Sequence, residues 1–95
     1  LPHLHKRVFR NLSTTTEVIY IIKGSLRIDF YNEKKKYLFS KIIKKKSLLI
    51  LVHGAHGFKV SNDLEMIEIK QGPYIQAKDK EKFEPIDEKK IKIKK

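Results

Sequence analysis

Residues 17–31, EVIYIIKGSLRIDFY, carry the clearest pattern of apolar and polar positions in the chain. Before Gly24, every residue between Glu17 and the turn is apolar except Lys23, a pattern typical of a strand buried on both faces. After the turn, apolar and polar residues alternate, which indicates a strand with one face in water. Glycine suits the positive φ of a short hairpin turn. The segment therefore predicts a β-hairpin that organises the fold.

The rest of the chain shows short apolar runs separated by polar, charged or glycine-containing turns, and no amphipathic helix beyond one possible helical turn at 79–83. This pattern predicts an all-β sandwich or barrel. We expect a single domain over residues 1–83 and a Lys-rich C-terminal tail over 84–95, either disordered or laid on the domain as an edge strand. The further predicted strands are 6–12, 36–44, 47–52, 58–60 and 64–70.

The net charge of +11 comes almost entirely from lysine. Arginine, which planar phosphate and base recognition favours, occurs only at positions 7, 10 and 27. We therefore expect no nucleic-acid partner. The rival hypothesis is a basic all-β nucleic-acid-binding domain that uses residues 34–36, 44–46 and the tail, and it predicts binding that weakens steeply with salt.

The chain has no cysteine, which excludes a disulfide framework, a thiolate metal site and a cysteine nucleophile. No apolar run is long enough to span a bilayer, and no signal-peptide pattern is present. These features favour a cytoplasmic protein without a membrane partner. The sequence opens at Leu1 without methionine, so we expect that an N-terminal piece has been lost.

Glu17 is an acidic residue in an otherwise apolar part of the central strand, and it lies on the same face as two isoleucines. A carboxylate in such a place needs a metal, a cation or a ligand, or it must keep its proton. A glycine-flanked loop with His53 and His56 follows the apolar run 47–52 and supplies candidate partners.

These residues resemble the cupin family, whose first motif places a glutamate six residues before a turn glycine, as Glu17 stands before Gly24. The segment 47–60, SLLILVHGAHGFKV, looks like the family's second motif, with Gly54 and His56 at or near the motif's glycine and histidine. The resemblance covers roughly residues 3–83. It implies a small cupin-type β-barrel or jelly roll of antiparallel strands.

The sequence departs from the family pattern at several positions. Lys46-Ser47 replaces the usual Gly-Asp, and Val52 stands at the usual proline. The two histidines that normally precede the glutamate are missing, since residues 10–12 are Arg, Asn and Leu. The segments 67–74 and 79–83 look like the end of a group of small cupins of poorly defined function.

The resemblance implies that Glu17 and His56 are metal ligands. A third ligand would have to come from His3, His5 or His53, none of which stands at the family's position. Zinc, manganese, iron or nickel would accept such donors, and open coordination positions would admit a substrate. Under the alternative hypothesis no metal binds. Glu17 then pairs with an arginine of the predicted strand 6–12, and His56 hydrogen-bonds inside the barrel.

Arg7 and Arg10 form a cationic pocket if they point inward, and are surface residues otherwise. Phe58 lines a ligand cavity or packs in the core. The resemblance implies a small polar or anionic ligand: a sugar, a sugar nucleotide or a carboxylic acid. Whether the protein is an enzyme, such as an isomerase or a metal-dependent oxygenase, or a non-catalytic regulatory module stays open. In an enzyme, Glu17 would be the catalytic residue, as metal ligand or as general acid or base.

The strand that begins at Glu17 carries Val18, Tyr20 and Ile22 on its other face. Outward apolar residues on a barrel strand indicate packing against a second sheet or a partner subunit. We therefore expect a homodimer, as the resemblance also implies.

Overall fold

A computed structural model describes residues 1–72 and 80–95. The described chain is all-β, with six antiparallel strands, one short 3-10 helix and no α-helix among the described residues. The all-β prediction is confirmed at this level. The elements are β1 (Glu17–Lys23), β2 (Ser25–Tyr31), β3 (Tyr37–Lys44), β4 (Leu48–Leu51), β5 (Ala55–Val60), β6 (Glu65–Lys70) and the 3-10 helix (Glu88–Lys90).

The strands form two three-stranded sheets. Sheet A has the order β4-β1-β6 and sheet B the order β3-β2-β5. Ile19 and Ile21 of β1 and Leu26 and Ile28 of β2 are completely buried and make up the core between the sheets. The described strands thus form a sandwich of two sheets rather than a closed, hydrogen-bonded barrel.

The predicted hairpin between β1 and β2 is wrong, because the two strands belong to different sheets. Gly24, with φ of 78°, turns the chain from sheet A into sheet B. A Cβ at this position would come within 2.9 Å of the backbone Cα of Leu64, so the corner admits only glycine without rearrangement. A single connecting residue is too short for a paired hairpin, whose shortest common loop has about two residues.

Strand β2 instead forms a hairpin with β3. The side chain of Asn32 accepts hydrogen bonds from the backbone N–H groups of Lys34 (2.9 Å) and Lys36 (3.0 Å) and closes the turn. Lys35 takes a positive φ of 67° within this turn. The polar run that predicted a turn therefore supplies the hydrogen bonds and the positive φ that close this turn.

Residues 1–16 contain no strand, so the strand predicted at 6–12 is wrong. Val8 and Phe9 are 60% and 91% exposed and pack against nothing that would favour a ladder. The predicted burial of β1 on both faces is also wrong for one face, since Tyr20 and Ile22 are exposed. No described segment covers that side of sheet A.

The C-terminal tail is laid on sheet B, as one of the two alternatives predicted. Ile93 forms a parallel bridge with Ser40, whose backbone N–H donates to the carbonyl of Lys92 (2.8 Å). The Tyr31 hydroxyl accepts a hydrogen bond from the N–H of Ile86 (2.9 Å). We call residues 83–94 the C-terminal strap. The remaining predicted element, a helical turn at 79–83, lies partly outside the described residues, and 80–83 contain no helical turn.

Candidate functional site

Glu17 begins β1 on the face of sheet A that is turned towards sheet B, and only 9% of the residue is exposed. In the sheet register it pairs with Leu51 of β4 on one side and with Lys70 of β6 on the other. The carboxylate therefore lies at the end of the sandwich, next to the apolar core but within reach of residues at the strand ends.

His56 approaches Glu17 from the opposite sheet. Its position on β5, in register with Phe30 of β2, places it on the inner face of sheet B. Nε2 of His56 lies 3.8 Å from Oε1 of Glu17. The imidazole stacks on Phe58, with ring centroids 5.1 Å apart and an interplanar angle of 26°. The predicted convergence of Glu17 and His56 is thus present in the structure.

Lys70 is the second polar neighbour of Glu17. Its Nζ lies 3.8 Å from Oε1 of Glu17 and 4.0 Å from Oε1 of Glu68. Hydrogen bonds between charged groups are about 2.7–2.9 Å long, so neither Lys70 nor His56 forms a direct hydrogen bond with Glu17. At these distances His56 and Lys70 leave the carboxylate oxygens of Glu17 available to a hydrogen-bond donor from a third group.

The pKa of His56 lies below its usual value. Burial of the imidazole is the largest cause, and Lys70 and Lys80 act in the same direction, while Glu17 and Glu68 oppose them. His56 is therefore neutral at pH 7, where it offers one hydrogen-bond donor and one acceptor.

An open cavity of about 650 Å³ lies beside these residues, between the end of the sandwich and the segment that leads into the C-terminal strap. Its walls combine charged groups of both signs with aromatic surfaces. The described lining residues are Thr15, Glu17, Tyr31, Gly54, Ala55, His56, Gly57, Phe58, Glu68, Lys70, Lys80, Glu81, Lys82, Phe83 and Pro85.

A neighbouring open cavity of about 440 Å³ lies around the ends of β2, β3 and β4. His53 lines this second cavity together with His56. His53 itself is exposed, on the loop between β4 and β5. His53 thus shares this second cavity with His56 of β5, whereas Glu17 lines only the first cavity.

The other predicted site residues do not reach Glu17 in the structure. Arg7, Arg10 and His5 are exposed in the N-terminal segment, where Nε2 of His5 lies 3.1 Å from Nε2 of His3. The alternative pairing of Glu17 with Arg7 or Arg10 is wrong, because that segment is not a strand beside β1.

Lys70 and Glu68 were missed by the sequence analysis. The available signal was the alternation along β6, which places both on one face. Their approach to Glu17 depends on the antiparallel pairing of β1 with β6, which the order of residues does not reveal.

Of the predicted metal ligands, the structure brings Glu17 and His56 together. The described residues contain no group of three or more histidine, cysteine, aspartate or glutamate side chains placed to hold an ion. Three protein ligands are the usual minimum for a catalytic site, and the ammonium of Lys70 beside Glu17 opposes a second cation. Bound metal at this site stays a prediction.

A second buried carboxylate, Asp29 on β2, has a different environment. Arg27 donates to its two oxygens at 2.9 and 3.0 Å, and the hydroxyl of Ser40 donates to Oδ1 at 2.6 Å. Arg27 also donates to Glu88 of the C-terminal strap, at 3.0 and 2.7 Å. Asp29 is therefore the centre of a network that fastens the strap to sheet B.

The network sets the charges of its members. Hydrogen bonds from Arg27 and then from Lys59 lower the pKa of Glu88 to about 2. Hydrogen bonds to Glu88 and Asp29 raise the pKa of Arg27 above its usual value. These groups are consequently charged throughout the physiological range, and their role is structural.

The described residues include no helix with the length and hydropathy needed to cross a membrane. No protein-family model, curated protein or solved structure matches the chain.

Proposed function

We propose that this chain is a small cupin-like protein that binds a polar, anionic ligand, namely a hydroxylated carboxylic acid or an acidic sugar, in the cavity beside Glu17. The observation that carries the proposal is the position of Oε1 of Glu17. It lies 3.8 Å from both Nε2 of His56 and Nζ of Lys70, at the wall of an open cavity.

A ligand hydroxyl can complete the bonding of Glu17. A buried carboxylate gains most from short hydrogen bonds, and donors aimed at its oxygens would be worth about 1.5–3 kcal/mol each. A hydroxyl between Glu17 and His56 would donate to the carboxylate and accept from, or donate to, the neutral imidazole. This arrangement favours a hydroxylated ligand over a purely apolar one.

The anionic part of the ligand is favoured by lysine. Lys70, Lys80 and Lys82 line the same cavity. Glu17, Glu68 and Glu81 line the cavity as well, and Lys70 lies near both Glu17 and Glu68, so we expect the acid group of the ligand to bind near Lys82. An acid group near Lys82 and a hydroxyl at Glu17 would fix the orientation of the ligand.

Aromatic surfaces supply the apolar part of the site. His56 stacks on Phe58, and Tyr31 contacts Phe83 edge-on with centroids 5.0 Å apart. Small-molecule sites combine such surfaces with a few placed polar groups. The carbon face of a sugar ring would pack against Phe58 while its hydroxyls point towards Glu17.

The second candidate is an isomerase on the same ligand class. Glu17 and neutral His56 approach each other from opposite sheets, with 3.8 Å between Oε1 and Nε2, so both can reach the same edge of a ligand in the cavity, where one group would accept a proton and the other would donate one. Interconversion of a bound sugar or hydroxy acid, followed by NMR, tests for turnover. Ligand binding without conversion supports the binding protein.

The proposal is tested by NMR titration of the ¹⁵N-labelled protein with hydroxy acids, uronic acids, neutral sugars and sugar nucleotides. We expect shifts centred on Glu17, His56 and Lys70 with the acidic, hydroxylated compounds. Glu17→Gln should weaken binding by roughly ten- to a hundredfold, since one charged hydrogen bond is lost.

The matched control is Glu33→Gln, which removes a carboxylate from the exposed β2–β3 turn. It should bind as the wild type does. Wild-type affinity in Glu17→Gln, or shifts confined to residues away from β1, β5 and β6, contradicts the proposal.

A further inference from the structure

The outer face of sheet A, the side turned away from sheet B, is apolar across all three strands. Its residues occupy alternate positions of each strand and are between 38% and 62% exposed. Tyr20 pairs in register with Leu48 and with Ile67, which makes one continuous row across the sheet. Members of the face include Tyr20, Ile22, Leu48, Ile50, Ile67 and Ile69.

This face lies at the upper end of the size range of apolar patches on monomers. Side chains of this type at these exposures present on the order of 600 Å² of apolar surface, and the largest patch of a typical monomer is about 300–600 Å². Each partner in a standard protein interface buries roughly 800 Å². The face supplies most of that area, and residues at its rim would supply the rest.

We propose that a second copy of this chain covers the outer face of sheet A, so that the two sheets pack face to face about a two-fold axis. A face whose central side chains are all apolar can pack against a copy of itself, which is the requirement for an isologous interface. Two copies that each carry a charge of +11 repel each other over most orientations. Contact through uncharged apolar side chains brings the copies together where that repulsion is least.

Charged residues at the rim determine the direction of the axis. Glu65 begins β6 and pairs with Lys23 of β1, while the N–H of Lys46, just before β4, donates to the carbonyl of Ile21. Lys46 and Glu65 are both exposed and lie at the same end of sheet A, on opposite edges.

A two-fold axis parallel to the strands places β4 of each copy over β6 of the other. Lys46 of one copy then lies over Glu65 of the second copy, and the pair occurs twice. An axis across the strands would instead place Lys46 over the opposite end of β4, where no carboxylate begins a strand. Charge complementarity therefore favours the parallel axis.

The experiment is sedimentation equilibrium of the full chain and five variants at two salt concentrations. The wild type should sediment with twice the monomer mass of 11.2 kDa, and more salt should tighten the dimer by screening the net charge. Ile67→Lys buries two unpaired charges per dimer and should raise the dissociation constant at least about a hundredfold. Ile42→Lys is the matched control, since Ile42 is 45% exposed on sheet B and Ile67 is 49% exposed.

The rim pair is tested by charge exchange. Lys46→Glu should weaken the dimer by roughly tenfold, because two like-charge contacts replace two attractive ones, and the double variant Lys46→Glu with Glu65→Lys should regain most of the loss. Phe9→Lys changes an exposed apolar residue of the N-terminal segment and should leave the dimer intact.

Several outcomes overturn the proposal. A wild type that is monomeric at both salt concentrations would show that no second copy binds this face. Equal effects of Ile67→Lys and Ile42→Lys place the contact elsewhere, and dissociation by Phe9→Lys assigns it to the N-terminal segment. A double charge exchange that fails to recover affinity rejects the parallel axis.

Discussion

Asp29 and Glu17 are both buried carboxylates, with exposures of 5% and 9%, but their surroundings differ in one respect. Asp29 receives three hydrogen bonds of 2.6–3.0 Å from Arg27 and Ser40. The cationic and imidazole neighbours of Glu17 stop at 3.8 Å. A carboxylate with its bonds complete stabilises the fold, whereas one with space around its oxygens is suited to binding.

The largest expected effect comes from removing the satisfied carboxylate. Asp29→Ala should destabilise the protein by about 2–4 kcal/mol, because Arg27 loses two hydrogen bonds and the buried hydroxyl of Ser40 keeps only its contact with the Tyr37 hydroxyl. Urea unfolding measures the change. Asp63→Ala serves as the control, since this exposed carboxylate accepts one hydrogen bond from Ser61 and should cost less than about 1 kcal/mol. Equal costs in the two variants would contradict a special role for Asp29.

The second largest effect is a dependence of stability on pH that comes from His56, the neighbour of Glu17. Burial lowers the pKa of His56, so the unfolded chain takes up this proton at a higher pH than the folded chain does. The stability from neutral His56 is complete above about pH 6.5 and falls as the pH drops below it, by at most about 1.4 kcal/mol per pH unit.

Unfolding measured from about pH 7.5 to pH 5 in the wild type and in His56→Gln tests this dependence. The variant should lose the part of the slope that lies just below the ordinary pKa of histidine. Identical slopes in the two proteins would show that the titration of His56 is not coupled to folding.

Glu17→Gln should change stability by less than about 1 kcal/mol in either direction, because no direct hydrogen bond from His56 or Lys70 is lost. The same urea experiment compares it with Asp29→Ala. A loss as large as that of Asp29→Ala would mean that the two carboxylates have the same structural role, and the contrast between them would disappear.

The smallest effect is expected at the exposed end of the Asp29 network. Glu88→Gln weakens the contacts of the C-terminal strap with Arg27 and Lys59 but leaves Asp29 bonded. Hydrogen exchange of the Lys94 amide, which donates to the carbonyl of Ser40, should become a few times faster, with little change in global stability.

In the wild type the strap contacts of Glu88 should persist in acid until the pH approaches its pKa of about 2. A depressed carboxylate pKa means that the contribution is present at neutral pH and lost as the pH falls through that value. An unchanged Lys94 exchange rate in Glu88→Gln would show that Glu88 does not hold the strap.

Local patterns in the sequence were sufficient for the strands and for part of the site. Alternation and β-branched residues predicted β1, β2 and β3, and the isolated acid of β1 singled out Glu17. The glycine-containing loop predicted the region of His56, and the two side chains do meet. These features depend on residues close in sequence or on one strongly patterned strand.

These local patterns did not determine which strands pair with each other or where the C-terminal tail lies. The turn at Gly24 has the residue that a hairpin requires, and its role as a corner between sheets depends on contacts with residues near Leu64. Asp29 alternates like any residue of a wet face, and its burial depends on Arg27, Ser40 and the distant Glu88. Burial of this kind depends on pairing between distant segments, and the alternation of residues along one strand carries no information about such pairing.

The order of the strands has a consequence for how the domain holds together. Among the described strands, four of the five connections carry the chain from one sheet to the other, and only β2 and β3 are consecutive neighbours within a sheet. A cut at any of the three connections between β2 and β5 therefore gives two fragments, neither of which contains a whole sheet. The two layers are interleaved, and we expect them to unfold as one cooperative unit, without an autonomous half that survives alone.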